Sequence, residues 1–317
     1  ANIILGNGLL PPKIINQNGN FKNSNYIWDF YSEGGTLNLI NKIDKIKSKK
    51  SINIAFIGNK AGLLETMPEL ENIITNKGVD IKIVTIAPNN LTLEKAEHSK
   101  NFESFKFKYL IKKNIKKIKK SDEILNILIK EFRTAKLMGF NKYDVWTWVL
   151  KNNLILDCYS QLSSVEKKKY NEFIFPKIRD LTRYTYPNTI YAKKRLERKK
   201  ILQYIKDKVS MIKNFKNKIV IKTYKGKKIT ADILINVSGP VSLTNVNKEV
   251  SFIKYLKKMS NNYNYRGFIA NKNFAITKNI YAPGTISSNF NPNRLTIIKS
   301  VIQNSHKVSN EILKKLK

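Results

Sequence analysis

The stretch Ile52-Asn-Ile-Ala-Phe-Ile-Gly58-Asn-Lys-Ala-Gly62-Leu-Leu-Glu65 constrains this chain more than any other. A short run of apolar and β-branched residues ends at Gly58, and an apolar pattern at helical spacing then runs to Ile74. After the break Asn76-Lys77-Gly78, a second apolar run covers Val79 to Ala87. Strand, turn, helix, strand is the order of a right-handed βαβ unit with parallel strands. In such a unit glycine lets backbone N–H groups approach a pyrophosphate, and the helix N-terminus adds a favourable dipole.

The match to G-x-G-x-x-G is partial. Gly58 fits the first position, Lys60 occupies the second and Leu63 the third, while Gly62 is displaced. Two readings stay open on the local residues alone. In one, the turn Gly58-Asn59-Lys60-Ala61-Gly62 holds a pyrophosphate. In the other, a buried strand and helix pass through with no ligand. Thr66-Met-Pro68-Glu69 also spells a capping box with a proline near a helix start. A helix capped by Thr66 would begin well past Gly58, whereas one beginning near Gly62 would carry Pro68 as a kink.

A chain of 317 residues with 42% hydrophobic content buries a large core, and its length corresponds to about two domains. No apolar run approaches the roughly 20 residues of a membrane span. The start, Ala1-Asn-Ile-Ile-Leu, has no basic region of a signal peptide. Cys158 is the single cysteine, which excludes an internal disulfide framework and fits a cytoplasmic location. The chain opens on a strand without a methionine, so a fragment with residues missing upstream is expected.

The formal charge of +36 points first to nucleic acid or another anionic partner. Arginine, however, occurs only at positions 133, 179, 183, 195, 198, 266 and 294. Nucleic-acid binders favour arginine for bidentate and stacking contacts. Abundant Lys, Asn and Ile instead suggest an AT-rich coding genome, with lysines spread over solvated faces. A nucleic-acid partner is therefore not favoured. The run Lys112-Lys113-Asn-Ile-Lys-Lys-Ile-Lys-Lys120 reads as a solvated helix face rather than a helix lying on an anionic surface.

Along the chain, Ile3-Ile4-Leu5 reads as a strand broken at Gly6-Asn-Gly8 and stopped by Pro11-Pro12. Thr36 reads as the cap of a helix Leu37 to Lys47. Residues 92–210 read as mainly helical. Lys218–Thr223 and Lys228–Thr230 form a hairpin around Gly226. Asp232 to Val237 is a continuous apolar strand ending at Ser238-Gly239-Pro240. A helix over Lys248–Met259, short strands at Phe274–Ile276 and Asn279–Ala282, and an amphipathic helix Arg294–Leu316 follow.

With these pieces placed, the chain resembles the FAD/NAD(P)-binding flavoproteins with two dinucleotide folds, in the group distantly similar to the N-hydroxylating monooxygenases. The resemblance is carried by Ile3–Pro12, Ile54–Glu65, Trp146–Pro187 (ending Arg183-Tyr-Thr-Tyr-Pro187), Asp232–Pro240 and Asn279–Gly284 with the last helix, all in the family's order. It implies an α/β chain: a Rossmann-like parallel-sheet NAD(P) domain over 17–229, flanked by 1–16 and 230–317 as parts of an incomplete FAD-binding domain. It places Gly8, Gly239, Pro240 and Gly284 on the FAD side, and Gly58, Asn59, Ala61 and Gly62 around the nicotinamide dinucleotide. It implies FAD and NAD(P) as cofactors, hydride passing from nicotinamide to flavin, and a small-molecule substrate.

The sequence departs from the family at Lys60, where glycine is usual, and at Tyr184 and Thr185, where His and Arg are usual. Thr85-Ile86-Ala87-Pro88 offers neither an acid for a ribose hydroxyl nor an arginine for a 2′-phosphate. Arg183 is the best single candidate for a charge near a cofactor or substrate, with structural pairing the competing role. No catalytic acid or base and no metal site can be named. His98 and His306 read as ordinary surface or helix residues, Cys158 as a buried structural thiol, and Trp146 and Trp148 as core or interface.

Overall fold

The computed structural model describes residues 3–4, 23–49, 51–59, 61–89, 94–215, 218–239, 251–260, 263–264, 267–268, 270–271, 274–282 and 297–316. The chain forms two compact units. One comprises Pro11–Leu93 and Tyr186–Val241, the other Ala1–Leu10, Glu94–Thr185 and Ser242–Lys317.

The first unit is layered. Its elements are β1 (Tyr26–Ile27), α1 (Gly35–Ile46), β2 (Ile52–Ile57), α2 (Ala61–Lys77), β3 (Ile81–Ala87), α3 (Pro187–Arg198), β4 (Leu202–Lys206), β5 (Val209–Phe215), β6 (Lys218–Thr223), β7 (Lys228–Ala231) and β8 (Ile233–Asn236). Five strands form a fully parallel sheet in the order β1-β8-β2-β3-β4. The expected βαβ unit is its centre: Ile54 pairs with Ile83 of β3 and Ile233 of β8. β5, β6 and β7 form a separate antiparallel meander.

Alternation along the strands assigns the two faces of the sheet. Ile52, Ile54, Phe56, Ile81, Ile83, Ile233 and Ile235 share a core with Leu39 and Ile43 of α1, Leu63, Met67 and Leu70 of α2, and Leu196 of α3. Ala55, Ile57, Ile86 and Leu234 pack instead with Ile212, Ile219 and Ile221 of the meander. Both faces are covered, so β2 and β8 are apolar on both faces apart from Asn53 and Asn236.

Several local expectations change. α1 starts at Gly35 behind Gly34, whose φ of 89° is left-handed, and Thr36 lies within the helix rather than capping it. Of the two starts open for α2, the structure takes the one near Gly62, at Ala61, so Thr66 is no cap. Its hydroxyl donates to the Leu63 carbonyl at 2.7 Å, and Pro68 sits inside the helix. The helical pattern stops at Arg198, and Leu202–Lys206 is an edge strand of the parallel sheet. Burial along this strand does not alternate, so it carries no period-two signal.

The second unit has its own helical core, in which Leu128, Val145, Val149, Ile155, Tyr170 and Ile178 are buried together. The Glu131 carboxylate, fully buried, accepts hydrogen bonds from the backbone N–H groups of Lys108 (3.1 Å), Tyr109 (2.7 Å) and Leu110 (2.8 Å). Ile115 and Ile118 point into the core, while every lysine from 106 to 120 is exposed. The basic run is thus exposed, and only Lys112–Ile115 of it is helical. A π-helical turn, Tyr170–Ile174, precedes Pro176. Proline cannot donate to the carbonyl four residues back and its ring crowds that carbonyl, so a widened turn accommodates it. Cys158 is buried and free, and burial, reinforced by Asp157, pushes its thiol up to about 12. Trp148 stacks on Phe107 at 3.7 Å.

In the terminal segments of this unit, Ile3–Ile4 pairs in parallel with Ile280–Tyr281. The helix Ser251–Met259 packs Ile253 and Leu256 against Phe268, Ile276 and Ile280. The helix Ile297–Leu316 sets Val308 against Phe274 and Tyr281.

Candidate dinucleotide site

The site lies where the parallel strands end. β2 stops at Ile57 and Gly58 turns the chain with a φ of +99°, a conformation that only glycine adopts without strain. Its N–H donates to the Ile86 carbonyl at 2.8 Å, and its carbonyl accepts from the Thr85 hydroxyl at 2.8 Å. β3 therefore clamps the turn through both backbone groups. Asn59 is buried, and its side-chain amide donates to the Asn89 carbonyl, tying the turn to the loop after β3. α2 begins two residues later, at Ala61. Its opening N–H groups and dipole sit beside the turn.

The other wall is the chain leaving β8. Val237 N–H donates to the Ile57 carbonyl at 2.9 Å, and the Ser238 hydroxyl donates to Asn236 at 2.7 Å. A Cβ on Gly58 would lie 2.6 Å from the Val237 carbonyl oxygen and 2.7 Å from Ser238 Cα. A Cβ on Gly62 would lie 2.6 Å from Val237 Cγ1 and 3.1 Å from the Phe30 ring. Both glycines thus serve the close approach of β2 and α2 to the segment after β8. That segment includes Gly239, with φ +88°.

The fit to a dinucleotide divides along the turn. The left-handed Gly58 and the helix starting at Ala61 suit a pyrophosphate. Leu63 faces the helix–sheet core with 1% exposure and does not plug the turn. At the end of β3, Ile86 and Ala87 are buried and no carboxylate follows before Asn89, so the acid that reads a ribose hydroxyl is missing there.

The structure brings Gly58, Asn59, Ala61, Gly62 and Gly239 together in one unit. Arg183 belongs to the other unit, where its guanidinium pairs with Asp180 at 2.6 Å and its carbonyl accepts from Glu94 N–H at 3.1 Å. Gly8, Lys60, Pro240 and Gly284 lie outside the described residues. Thr85, Val237 and Asn89 complete the surroundings of the turn. They go unsingled in the sequence because nothing local marks the end of one strand as the partner of another.

Two buried carboxylates hold this frame without entering the site. Asp207, just after β4, accepts from Lys208 N–H at 2.7 Å and Lys225 N–H at 2.9 Å. Its hydrogen bond with the Thr223 side chain leads the groups that hold its carboxyl below the usual range, against the opposing effect of burial. Asp232, before β8, pairs with Lys49 at 2.8 Å and accepts from Asn53 N–H at 2.9 Å. Burial works to raise its carboxyl, yet the Lys49 and Asn53 hydrogen bonds outweigh it and the net direction is down.

No family model and no curated protein matches the chain. Among solved structures, the ornithine N-hydroxylase of Kutzneria sp. 744, in its FADred–NADP+–L-orn form, aligns with 100% of this chain and 64% of its own, at 10% identity and a TM-score of 0.54. The chain shares that enzyme's fold. A reduced ornithine hydroxylase from Pseudomonas aeruginosa aligns with 100% of this chain and 63% of its own, at 12% identity and a TM-score of 0.46. A pyridine nucleotide-disulfide family oxidoreductase from Enterococcus faecalis V583 aligns over 98% and 47%, at 11% identity and 0.46. The chain spans less than two thirds of the length of these proteins. The fold expected from the ordered motifs is therefore met. No helix among the described residues is long and apolar enough to cross a membrane.

Proposed function

We propose that this chain is part of a flavin- and nicotinamide-dependent oxidoreductase, monooxygenase-like, acting on a small molecule. The observation that carries the reading is the turn at Gly58: left-handed, held from β3, and opening directly into α2 at the carboxyl edge of a parallel sheet. The first N–H groups of α2 receive the diphosphate of the nicotinamide nucleotide, and the dipole favours its charge. Thr85 fixes the carbonyl of Gly58 so that the turn keeps its shape on loading. Asn59 holds the loop after β3 beside it. The bound nucleotide pair supplies the chemistry, hydride leaving nicotinamide for flavin, while the protein supplies position and electrostatics.

The test is the full open reading frame expressed and purified. A yellow protein with flavin absorbance that oxidises NADH or NADPH supports the reading. A colourless protein indifferent to both nucleotides and to added FAD overturns it.

A second reading rests on one stretch. Lys106, Lys108, Lys112, Lys113, Lys116, Lys117, Lys119 and Lys120 are all exposed, and no acid lies between Glu103 and Asp122. A polyanion, nucleic acid first, is the partner that such a surface fits, in a protein without redox activity. Binding to single-stranded RNA that falls steeply with salt would favour this reading.

A further inference from the structure

In the helical part of the second unit, two side chains form a pair that the dinucleotide reading does not use. His98 Nδ1 lies 2.6 Å from Asp144 Oδ1. Asp144 is 2% exposed and its other oxygen accepts from Ser99 N–H at 2.7 Å. A carboxylate only accepts, so Nδ1 donates, and in the neutral ring that leaves the lone pair on Nε2. The ring is steadied by Tyr143, 5.0 Å away. Ser99 in turn accepts from Asn141 N–H at 2.6 Å, which locks this loop to the start of the helix Lys142–Lys151. Among the described residues Nε2 has no hydrogen-bond partner, and the imidazole is largely exposed.

Histidine oriented by a buried carboxylate, with its far nitrogen free, is the arrangement that accepts a proton or a hydrogen bond from a ligand hydroxyl. A cleft of about 470 Å³ adjoins it, lined by His98, Phe102, Asp144, Thr147, Trp148 and Lys151. Its volume suits a small molecule. Phe102 and Trp148 are among its lining residues, beside Glu103 and Lys151, and aromatic side chains favour contact with a flat ring.

The geometry points to a second ligand site here, for a small aromatic compound bearing a hydroxyl group, with His98 Nε2 accepting from that hydroxyl. Asp144 is a positioning residue: it fixes the tautomer and stabilises the imidazolium formed if the hydroxyl proton crosses to Nε2, leaving an oxyanion on the ligand. The inference stands apart from the dinucleotide proposal and needs neither cofactor.

The chain contains only two histidines, His98 and His306, so side-chain nitrogen NMR of the intact, histidine-labelled protein reads both rings with one as control. His98 is expected as a single Nδ1–H tautomer, and Asp144→Asn is expected to mix its tautomers. Phenol is the probe, binding at about the millimolar level for a fragment of its size. It should move His98 Nε2 and leave His306 in place. Anisole, which has no hydroxyl proton, should bind about tenfold more weakly, the loss of one hydrogen bond. His98→Asn keeps a donor for Asp144 and removes Nε2. Phenol should then no longer shift the backbone amides of Thr147 and Trp148. Mixed tautomers at His98 in the unmodified protein, equal phenol response at both histidines, or anisole matching phenol would each overturn the assignment.

Discussion

Gly58 and Val237 approach so closely that a side-chain carbon on the glycine would fall 2.6 Å from the valine carbonyl oxygen. The glycine at the end of β2 is therefore required twice, by its left-handed backbone and by the strand beside it. A phosphate-binding turn demands the first property. The second belongs to the sheet.

Gly58→Ala is expected to destabilise the first unit by about 2–4 kcal/mol, from left-handed strain and overlap with backbone that cannot move aside. Urea unfolding followed by circular dichroism checks this. Retention of wild-type stability would show that β8 does not pass where it is described.

Gly62→Ala meets a side chain instead, Val237 Cγ1 at 2.6 Å, and overpacking of this kind costs about 1–3 kcal/mol. Val237→Ala removes the obstructing methyl. The double variant should then be more stable than the sum of the two single changes predicts, with a coupling of at least about 0.5 kcal/mol. Strict additivity would separate the two residues.

Acid should weaken the first unit through Asp207 and Asp232. Both carboxyls are held below their ordinary range when folded. Their contribution is fully present above the unfolded carboxylate value of about 4 and is lost as pH falls through the lower folded values. Melting temperature measured from pH 7 down to pH 2 should drop most below about pH 4. Asp207→Asn and Asp232→Asn should each lower stability at pH 7 and flatten that drop.

In the second unit, Glu131→Ala leaves three backbone N–H groups without their acceptor. A loss of about 3 kcal/mol is expected. Hydrogen exchange should accelerate first at Lys108, Tyr109 and Leu110, ahead of the rest of the helical core. Uniform acceleration across that core would mean that the carboxylate supports the whole bundle rather than one loop.

Much of the first unit was legible because its signals are local. Ile52–Ile57 and Ile81–Ala87 are apolar runs closed by turn residues, and Gly226 marks the hairpin between β6 and β7. The cap expected at Thr36 fails because α1 starts one residue earlier, at Gly35, and of the two starts open for α2 the structure takes the one near Gly62 rather than a cap at Thr66. Once Leu63, Met67 and Leu70 are buried against the sheet, the helix extends back to Ala61 and tolerates Pro68 inside it. The purpose of Gly58 and Gly62 was beyond local reading, since the residues that crowd them, Val237 and Phe30, lie far off in sequence. The His98–Asp144 pair was missed for the same reason: 46 positions separate two residues that meet at 2.6 Å.

The place of β8 in the sheet has a temporal meaning. Among the described residues it is the last strand of this five-stranded sheet to be synthesised, yet it sits between β1 and β2, the sheet's first two. A ribosome-bound chain that has emerged only as far as β7 holds two strands facing an empty lane, with their N–H and C=O groups unpaired. Closing that lane joins distant residues, which makes it a slow event. Until Ile233–Asn236 arrives, β1 and β2 lack the strand that pairs with both of them, and an unpaired strand edge is a template for association with other chains.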